Sequence, residues 1–485
     1  MGQITPLSLT NGLYVSESPA IADMVLSGFY VNIPETQGAI SDGQLLPVGG
    51  LTELVNTGVN EINRGSHVMA GIPYFINGQR LYRLESDLET ATDLGEISGA
   101  GRVSTSDNGT QMLIIVPKTR IGYIYTEEDG LTLLTDATFT DPDKAAPEIG
   151  VFIDSYFVIN RGSKEFFCSN VNNGLVYDAL DFGSAEADPD IIRSLHVHKN
   201  QLYVFGSETI EVFQTTTSSG AGFPFQRING FVIPKGIAAP FSVTEFNSSF
   251  TFIGQGVDET PKVYIFTGSG VAPISTTSID FLLQQNQENI ADVFTLAYSY
   301  RGAVFVGYAT SKSGSIFYDA KASELSGKKQ WHLRESSGLQ EKNRWRVNSL
   351  VTAYGKLLVG DSESGIIGEY QNDVNTDYGN PIVREFSLQT LENNSNAMYI
   401  NKIEVVIDSG QGLINGDDPF LFMQYSDDGR VYTSPRSRNA GAVGEYSKKL
   451  CWHQLGMTER YRIFKFTCSA DVRWVILKVL INADG

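Results

Sequence analysis

The sequence predicts an all-β fold, a β-propeller followed by a β-sandwich, and three observations carry the prediction. The composition is rich in aromatic residues and glycine and poor in charge: 485 residues hold 27 Phe, 22 Tyr and 48 Gly, with 41% hydrophobic and only 19% charged residues, a balance that favours strands over helices or disorder. A strand, a Gly- or Asn-containing turn and a second strand recur every few tens of residues. In the last hundred or so residues the texture changes to longer strands with period-two alternation. A chain of this length exceeds one ordinary core, which suits two or three domains or a toroidal β-domain stretched beyond the usual size.

Taken in order, "GIPYFINGQRLYRLE" (71–85) is a hairpin with Asn77-Gly78 at its turn, and 101–136 is a three- or four-strand set with Asn108-Gly109 and Asp129-Gly130 at turns. Further sets follow at 151–179, 191–216, 241–275, 293–322 and 346–373. Each contains an apolar strand such as "LYVFG", "FTFIG", "VFVG" or "LLVG". A spacing of roughly 40 to 50 residues is that of propeller blades, each a four-stranded antiparallel sheet about a common axis. The first hairpin is short and the last set incomplete, so the two read as halves of one blade that closes a ring of six, with seven as the alternative. Closure removes exposed sheet edges.

"QNDVNTDYGNP" (371–381) reads as a polar, turn-rich linker. Beyond it six strands are expected, among them "YRIFKFTCS", where Phe464, Phe466 and Cys468 alternate with Lys465 and Thr467 as in a strand with one face in a core. The expected domains are an N-terminal extended segment (1–62) leading into the ring, a propeller (63–376) and a sandwich (377–485). Short helix is expected only around "SIDFLLQQNQ" (278–287).

Net charge is −19, from 36 basic and 55 acidic residues. This argues against tight binding to nucleic-acid phosphates, whose affinity comes from Lys and Arg. Cys168, Cys451 and Cys468 fit neither a disulfide framework nor paired metal-ligand spacing and are expected to be buried thiols of a chain made in a reducing cytoplasm. The N-terminus has no basic and apolar leader pattern, Pro6 occupies the place where a myristoylation signal needs Ser or Thr, and no apolar run is long enough to span a bilayer, so membrane insertion is not expected.

The chemistry-bearing candidates each have a plainer reading. "QLYVFGSETIEVFQ" (201–214) carries Glu208 and Glu211, and His196 and His198 lie just upstream, two apart and so on one strand face. A metal site would need a third ligand at a fixed spacing; none is evident, and an exposed strand is expected. "TGSGVAP" (267–273) lacks the third glycine and the following helix of a dinucleotide loop. The acidic stretches "DALDFGSAEADPD" (178–190) and "NGDDP" (415–419) lack the register of an EF-hand and read as solvated loops. "YSDDGRVYTS" (425–434) approaches the Asp-box hairpin of sialidases, but Arg430 replaces its second glycine and it lies outside the propeller units. No catalytic, cofactor-binding or metal-ligating residue is predicted.

Several ordered motifs together resemble a family. "FGSETIEVF" (205–213), "KGIAAP" (235–240), "VYIFTGSGVAPISTTSID" (263–280), "SIFYDAKASELSGKKQWH" (315–332) and "VGDSESGIIGEY" (359–370), with "FYVNIP" (29–34) and "SGAGRVS" (98–104), look like successive signatures of the packaged-DNA stabilisation protein, the tail hub of short-tailed phages. The segment 425–456 is similar to a sandwich module of phage tails. The resemblance covers nearly the whole chain. It implies a non-enzymatic virion protein without cofactors, made in the host bacterial cytoplasm, that forms a homohexameric ring below the portal and adaptor proteins. The ring would close the DNA exit channel and hold tailspikes and the tail needle, with DNA passing through unread. A carbohydrate-binding or glycoside-cleaving propeller and a generic cytoplasmic scaffold remain as alternatives, because strand periodicity does not separate the three.

Overall fold

A computed structural model describes all residues except 1–2, 19–21, 37, 186–189, 217–221, 311–313, 338–343, 414–417 and 485. Seven antiparallel sheets follow one another around an axis. Blade one comprises Asn63–Met69, Ile72–Asn77, Arg80–Leu84 and Ala91–Glu96; blade two Ser104–Asp107, Met112–Val116, Ile121–Thr126 and Gly130–Leu133; blade three Pro147–Ile153, Tyr156–Arg161, Glu165–Asn170 and Asn173–Ser184. Blade four is Ile192–His198, Gln201–Gly206, Ile210–Thr215 and Phe225–Ile233. In blade five the innermost position is shared by Gly236–Ile237 and Thr244–Phe246, which pair with Ser249–Gln255, followed by Lys262–Phe266 and Val271–Pro273. Blade six is Phe294–Tyr300, Ala303–Ala309, Ser315–Asp319 and Gln330–Arg334. Blade seven takes Val347–Ala353, Lys356–Asp361 and Ile366–Gln371 from the end of the ring and Gly50–Asn56 from its beginning.

The propeller and sandwich are as the sequence predicts, and the blade count is the alternative of seven, not six. The hairpin 71–85 is the centre of a complete blade, and the incomplete set 346–373 is completed by Gly50–Asn56, paired from Gly50↔Gln371 to Asn56↔Ile366. The inner strands of blades seven and one then lie side by side, which closes the ring. The linker 371–381 is itself built in: Asp377 pairs in parallel with Leu51, on the other side of the closing strand.

Blade faces explain the continuous apolar runs. In "MLIIV" of blade two, Met112, Ile114 and Val116 pack towards blade one, while Leu113 and Ile115 pack towards blade three; all five are fully buried. Because successive side chains point to opposite faces and both faces meet a neighbouring blade, alternation disappears from the sequence. The strand "QLYVFG" repeats the device, with Leu202 and Val204 facing blade three and Tyr203 and Phe205 facing blade five.

The C-terminal sandwich has two layers. One contains Leu450–Thr458, Met398–Ile407 and Ile476–Asp484, extended by the hairpin Phe29–Asn32 and Gln44–Pro47, with Gln3–Leu7 also on Ile476–Asp484. The other contains Arg384–Ser387, Tyr461–Cys468, Phe420–Ser426 and Arg436–Asn439. Phe464, Phe466 and Cys468 are buried between them, as their alternation predicts. The N-terminal residues thus contribute strands to both units.

The two units share a sheet. Leu333 of blade six pairs in parallel with Ser27, and Leu26–Ser27 pairs antiparallel with Glu385 and Phe386, so one ten-stranded sheet runs from the propeller into the sandwich. One hydrophobic core spans the join, with Tyr308, Ile316 and Trp331 of blade six beside Phe29, Phe386, Phe466 and Trp452. Phe386 stacks on Phe466 at 4.9 Å and meets Phe29 edge-on at 5.9 Å. Interfaces between mobile domains are smaller and more polar than this.

Helix is sparse. Thr277–Gln285 forms where expected, its first turn capped by Thr276, whose hydroxyl accepts the Ile279 N–H. Two further helices, Ala137–Thr140 and Ala320–Ser326, were not expected; Asp136 caps the first, and Asp319 caps the second, which Gly327, at φ +66°, ends.

Close backbone contacts make one blade junction sensitive. A Cβ on Gly236 would lie 2.1 Å from the Ser207 carbonyl carbon and 2.3 Å from the Glu208 nitrogen, at the turn of the blade-four hairpin. Gly236→Ala is expected to lower stability by about 1–3 kcal/mol, as overpacking does. Thermal unfolding checks this; an unchanged midpoint would contradict the contact.

Candidate functional site

The blade-four hairpin is a scaffold. Glu208 is exposed at the turn, whereas Glu211 is buried in mid-strand and accepts a hydrogen bond from Arg227 at 3.2 Å. His196 and His198 do share a face, and they meet neither of these glutamates. Their partner is Glu245 of blade five: His196 Nε2 lies 3.2 Å and His198 Nδ1 2.7 Å from the same Oε1. Burial alone would raise the Glu245 carboxyl, but the hydrogen bonds from the two histidines hold it below the ordinary range. His198 is 4% exposed and His196 15%, so the expected exposed strand is a partly buried inter-blade strap. A similar strap joins blades one and two, where His67 Nε2 lies 2.6 Å from Asp107 Oδ2. Neither Glu245 nor Arg227 was found from sequence: Glu245 comes from the neighbouring blade, and Arg227 from the next strand of the same blade across a connection whose register local spacing does not give.

The remaining candidates resolve into turns. Gly268, at φ +94°, sits in the hairpin between Lys262–Phe266 and Val271–Pro273, and the Thr267 N–H closes the turn on the Gly270 carbonyl at 2.8 Å. In "YSDDGRVY", Asp428 accepts the N–H groups of Arg430 and Val431, each at 2.8 Å, while Asp427 forms a two-bond pair with buried Arg462. Most of the acidic stretch 178–190 continues the outer strand of blade three, and 186–189 lie outside the described residues, as do 415–417 of "NGDDP". Cys168 and Cys468 are buried and Cys451 is only half-buried. Burial, with the nearby Asp181 adding for Cys168, pushes the Cys168 and Cys468 thiols up to about 12, which leaves little nucleophilic thiolate.

A cavity lies where the ring meets the N-terminal hairpin and the sandwich. It has a volume of about 290 Å³ and is lined by Tyr30, Glu35, Arg301, Asp319, Lys321 and Arg473 among others. Lys321 and Glu35 are 3.5 Å apart. Asp319 is committed to its helix, accepting the Ala322 N–H at 3.0 Å. Among the described residues the lining holds no Ser, Cys or His, and its charged groups suit ionic contact with a polar surface.

Two buried carboxyls near this junction titrate high. Burial raises Asp319 to about 6 against the hydrogen bonds of Ala322 and Lys321 and the charge of Arg334; burial likewise raises Asp377 to about 6, against the Ser336 hydrogen bond and the charges of Arg384 and Arg346. Both hold protons in the fold to higher pH than in the unfolded chain. Their contribution to stability is therefore greatest below about pH 4 and falls as pH rises to about 6, where it levels off. Asp319→Asn, which retains a capping side chain, is expected to flatten part of that decline in thermal midpoints measured from pH 4 to 7; an identical slope would contradict it.

Among solved structures the chain is similar to the N-terminal domain of Nup159 (12% identity, TM-score 0.42, covering 72% of this chain and 99% of that one). It is also similar to streptogramin B lyase (10% identity, TM-score 0.41, 66% and 97%) and the WD40 propeller domain of Doa1 (11%, 0.37, 67% and 96%). Likenesses this weak carry no argument here. A curated relative, the tail hub protein gp10 of Salmonella phage P22, is 24% identical over 439 residues and matches 88% of each chain. The family model described as Bacteriophage P22 Gp10, beta-propeller, matches residues 6–375, and that described as Bacteriophage P22 Gp10, beta-sandwich, matches 383–484. With both units matched in order, the chain belongs to the P22 Gp10 family of bacteriophage tail hub proteins.

Proposed function

We propose that the protein is a non-enzymatic hub subunit that forms a sixfold ring below the portal and adaptor proteins, closes the exit channel once DNA is packaged, and anchors tailspikes and the tail needle. The observation that carries this reading is the ordered match of both units to one tail hub family across nearly the whole chain. The shared sheet and core give physical support, because a ring that plugs a pressurised channel must pass load from one unit to the other without a hinge. The experiment is electron microscopy of DNA-filled, adaptor-bearing capsids of the source phage after addition of the purified chain. Sixfold density below the portal is expected; no added density, together with sugar release in a glycan screen, would favour a carbohydrate-active propeller instead.

Charge bears on the same reading. With a net charge of −19 the hub is expected to repel phosphates and let DNA slide. The isolated protein should show no DNA binding tighter than the roughly 10⁻⁴–10⁻⁶ M range of non-specific binding at physiological salt. Tighter binding that weakens steeply with salt would contradict a repelling channel.

A further inference from the structure

We propose that the axial channel of the propeller is a binding site for a small oxyanion of phosphate or carboxylate type, held by Arg102 and Ser66. The inner strands and their flanks from all seven blades line a cavity of about 280 Å³ on the axis. Its ionisable lining groups are Arg102 and His196, with no Asp or Glu, in a chain whose net charge is −19. His196 already has a carboxylate in Glu245. Arg102 has none.

Arg102 precedes the inner strand of blade two and reaches to the far side of the ring. Its guanidinium lies 3.5 Å from the centroid of the Phe294 ring in blade six and donates one hydrogen bond, 2.5 Å, to the Asn348 carbonyl of blade seven. A guanidinium has five N–H donors, and the others have no protein acceptor among the described residues. Burial, with the like charge of Arg344 adding to it, brings the group down to about 9, as expected for a partly buried cation without a counter-ion. An anion in the channel would offset that cost.

Ser66, on the inner strand of blade one, lines the same cavity, and its buried hydroxyl has no protein partner among the described residues. Three of the other inner hydroxyls already donate to protein acceptors. Ser104 accepts the Gly150 N–H, while Ser194 donates to the Pro240 carbonyl, Thr295 to the Gly307 carbonyl and Ser349 to Asn63. The donors left without a protein acceptor among the described residues are those of Arg102 and Ser66, together with the hydroxyls of Ser104 and Thr105. A planar fork plus a hydroxyl is the donor set that matches an oxyanion, and the volume suits one small anion with accompanying water. Bound there, it would link the starts of blades one and two to blades six and seven across the axis.

The test uses the full chain. Inorganic phosphate and acetate are titrated at ionic strength matched with sodium chloride, with binding read by calorimetry and thermal midpoint, on wild type, Arg102→Gln, Arg102→Lys and Ser66→Ala. The expected result is saturable binding of one or both anions, weakened about tenfold or more by Arg102→Gln and measurably by Ser66→Ala. The preferred anion identifies the source. If Arg102→Gln fails to fold, Arg102→Lys, which keeps the charge but not the fork, must still weaken binding. A purely structural strut predicts lower midpoints in the Arg102 variants with anion responses unchanged from wild type; that result, or no saturable response in wild type, overturns the proposal.

Discussion

Arg334→Ala is expected to lower the stability of the propeller by about 3–5 kcal/mol, among the largest effects of any single substitution in the chain. Arg334 is 1% exposed at the end of blade six. Its guanidinium carbon lies 3.9 Å from the ring centroid of Phe317, 5.0 Å from Phe305, 5.1 Å from Tyr298, 5.2 Å from Trp345 and 5.9 Å from Tyr370. Nε donates to His332 Nε2 at 3.2 Å, while Nη1 and Nη2 have no hydrogen-bond partner among the described residues. Burial and the adjacent guanidinium hold the His332 imidazole well below its usual range, so it is neutral and can accept that bond. The cation is therefore held mainly by aromatic faces, and removing it leaves a void among five rings shared by blades six and seven. Arg334→Met separates volume from charge: it refills much of the space and loses the cation–π attraction. Thermal unfolding should place it between wild type and Arg334→Ala. A methionine variant as stable as wild type would show that the rings only tolerate the charge.

Removing residues 1–56 is expected to abolish a soluble, cooperatively folding chain. The deletion takes away the outer strand of blade seven and leaves Ile366–Gln371 as an unpaired edge, a template for aggregation. It also removes three strands of the sandwich layer built on Ile476–Asp484 and the Leu26–Ser27 bridge to the propeller. A milder probe acts on the closure alone. A Cβ on Gly50 would lie 2.1 Å from the Thr376 carbonyl oxygen, and one on Gly49 2.3 Å from the Gln371 carbonyl oxygen, both backbone atoms that cannot rotate away. Gly50→Ala must therefore push the 371–381 segment off the closing strand, at an expected cost of about 2–3 kcal/mol. Size-exclusion chromatography and thermal unfolding distinguish the outcomes. A monodisperse truncated chain with the wild-type midpoint would refute closure by the N-terminal strand.

The parts of this architecture that were legible in the sequence are those set by local pattern. Runs such as "MLIIV" and "LYVFG" mark strands buried on both faces, and the alternation in "YRIFKFTCS" marks a strand with one face in a core. The closing strand was not legible, because "GLTELVN" is an unremarkable run whose partner lies some three hundred residues away, and pairing at that distance leaves no local trace. That omission turned seven blades into six. Outer strands such as "ATDLGE" in blade one are half-exposed and carry little apolar signal, which made a complete blade look like a lone hairpin. The helix Ala320–Ser326 had a readable signal, an Asp cap followed by a terminal Gly. Glu245 and Arg102 act across blades, and no spacing rule in one dimension would have joined them to His198 or Phe294.

The central claim is that this chain closes the DNA exit channel as a hub. The most direct measurement is nuclease protection: purified protein is added to DNA-filled capsids of the source phage that carry portal and adaptor proteins but no hub, and the nuclease-resistant genome is quantified. The account predicts that the genome becomes protected as the hub is added, and that the 1–56 deletion gives no protection. Continued leakage at saturating wild-type protein, with the chain folded and the adaptor present, would contradict it.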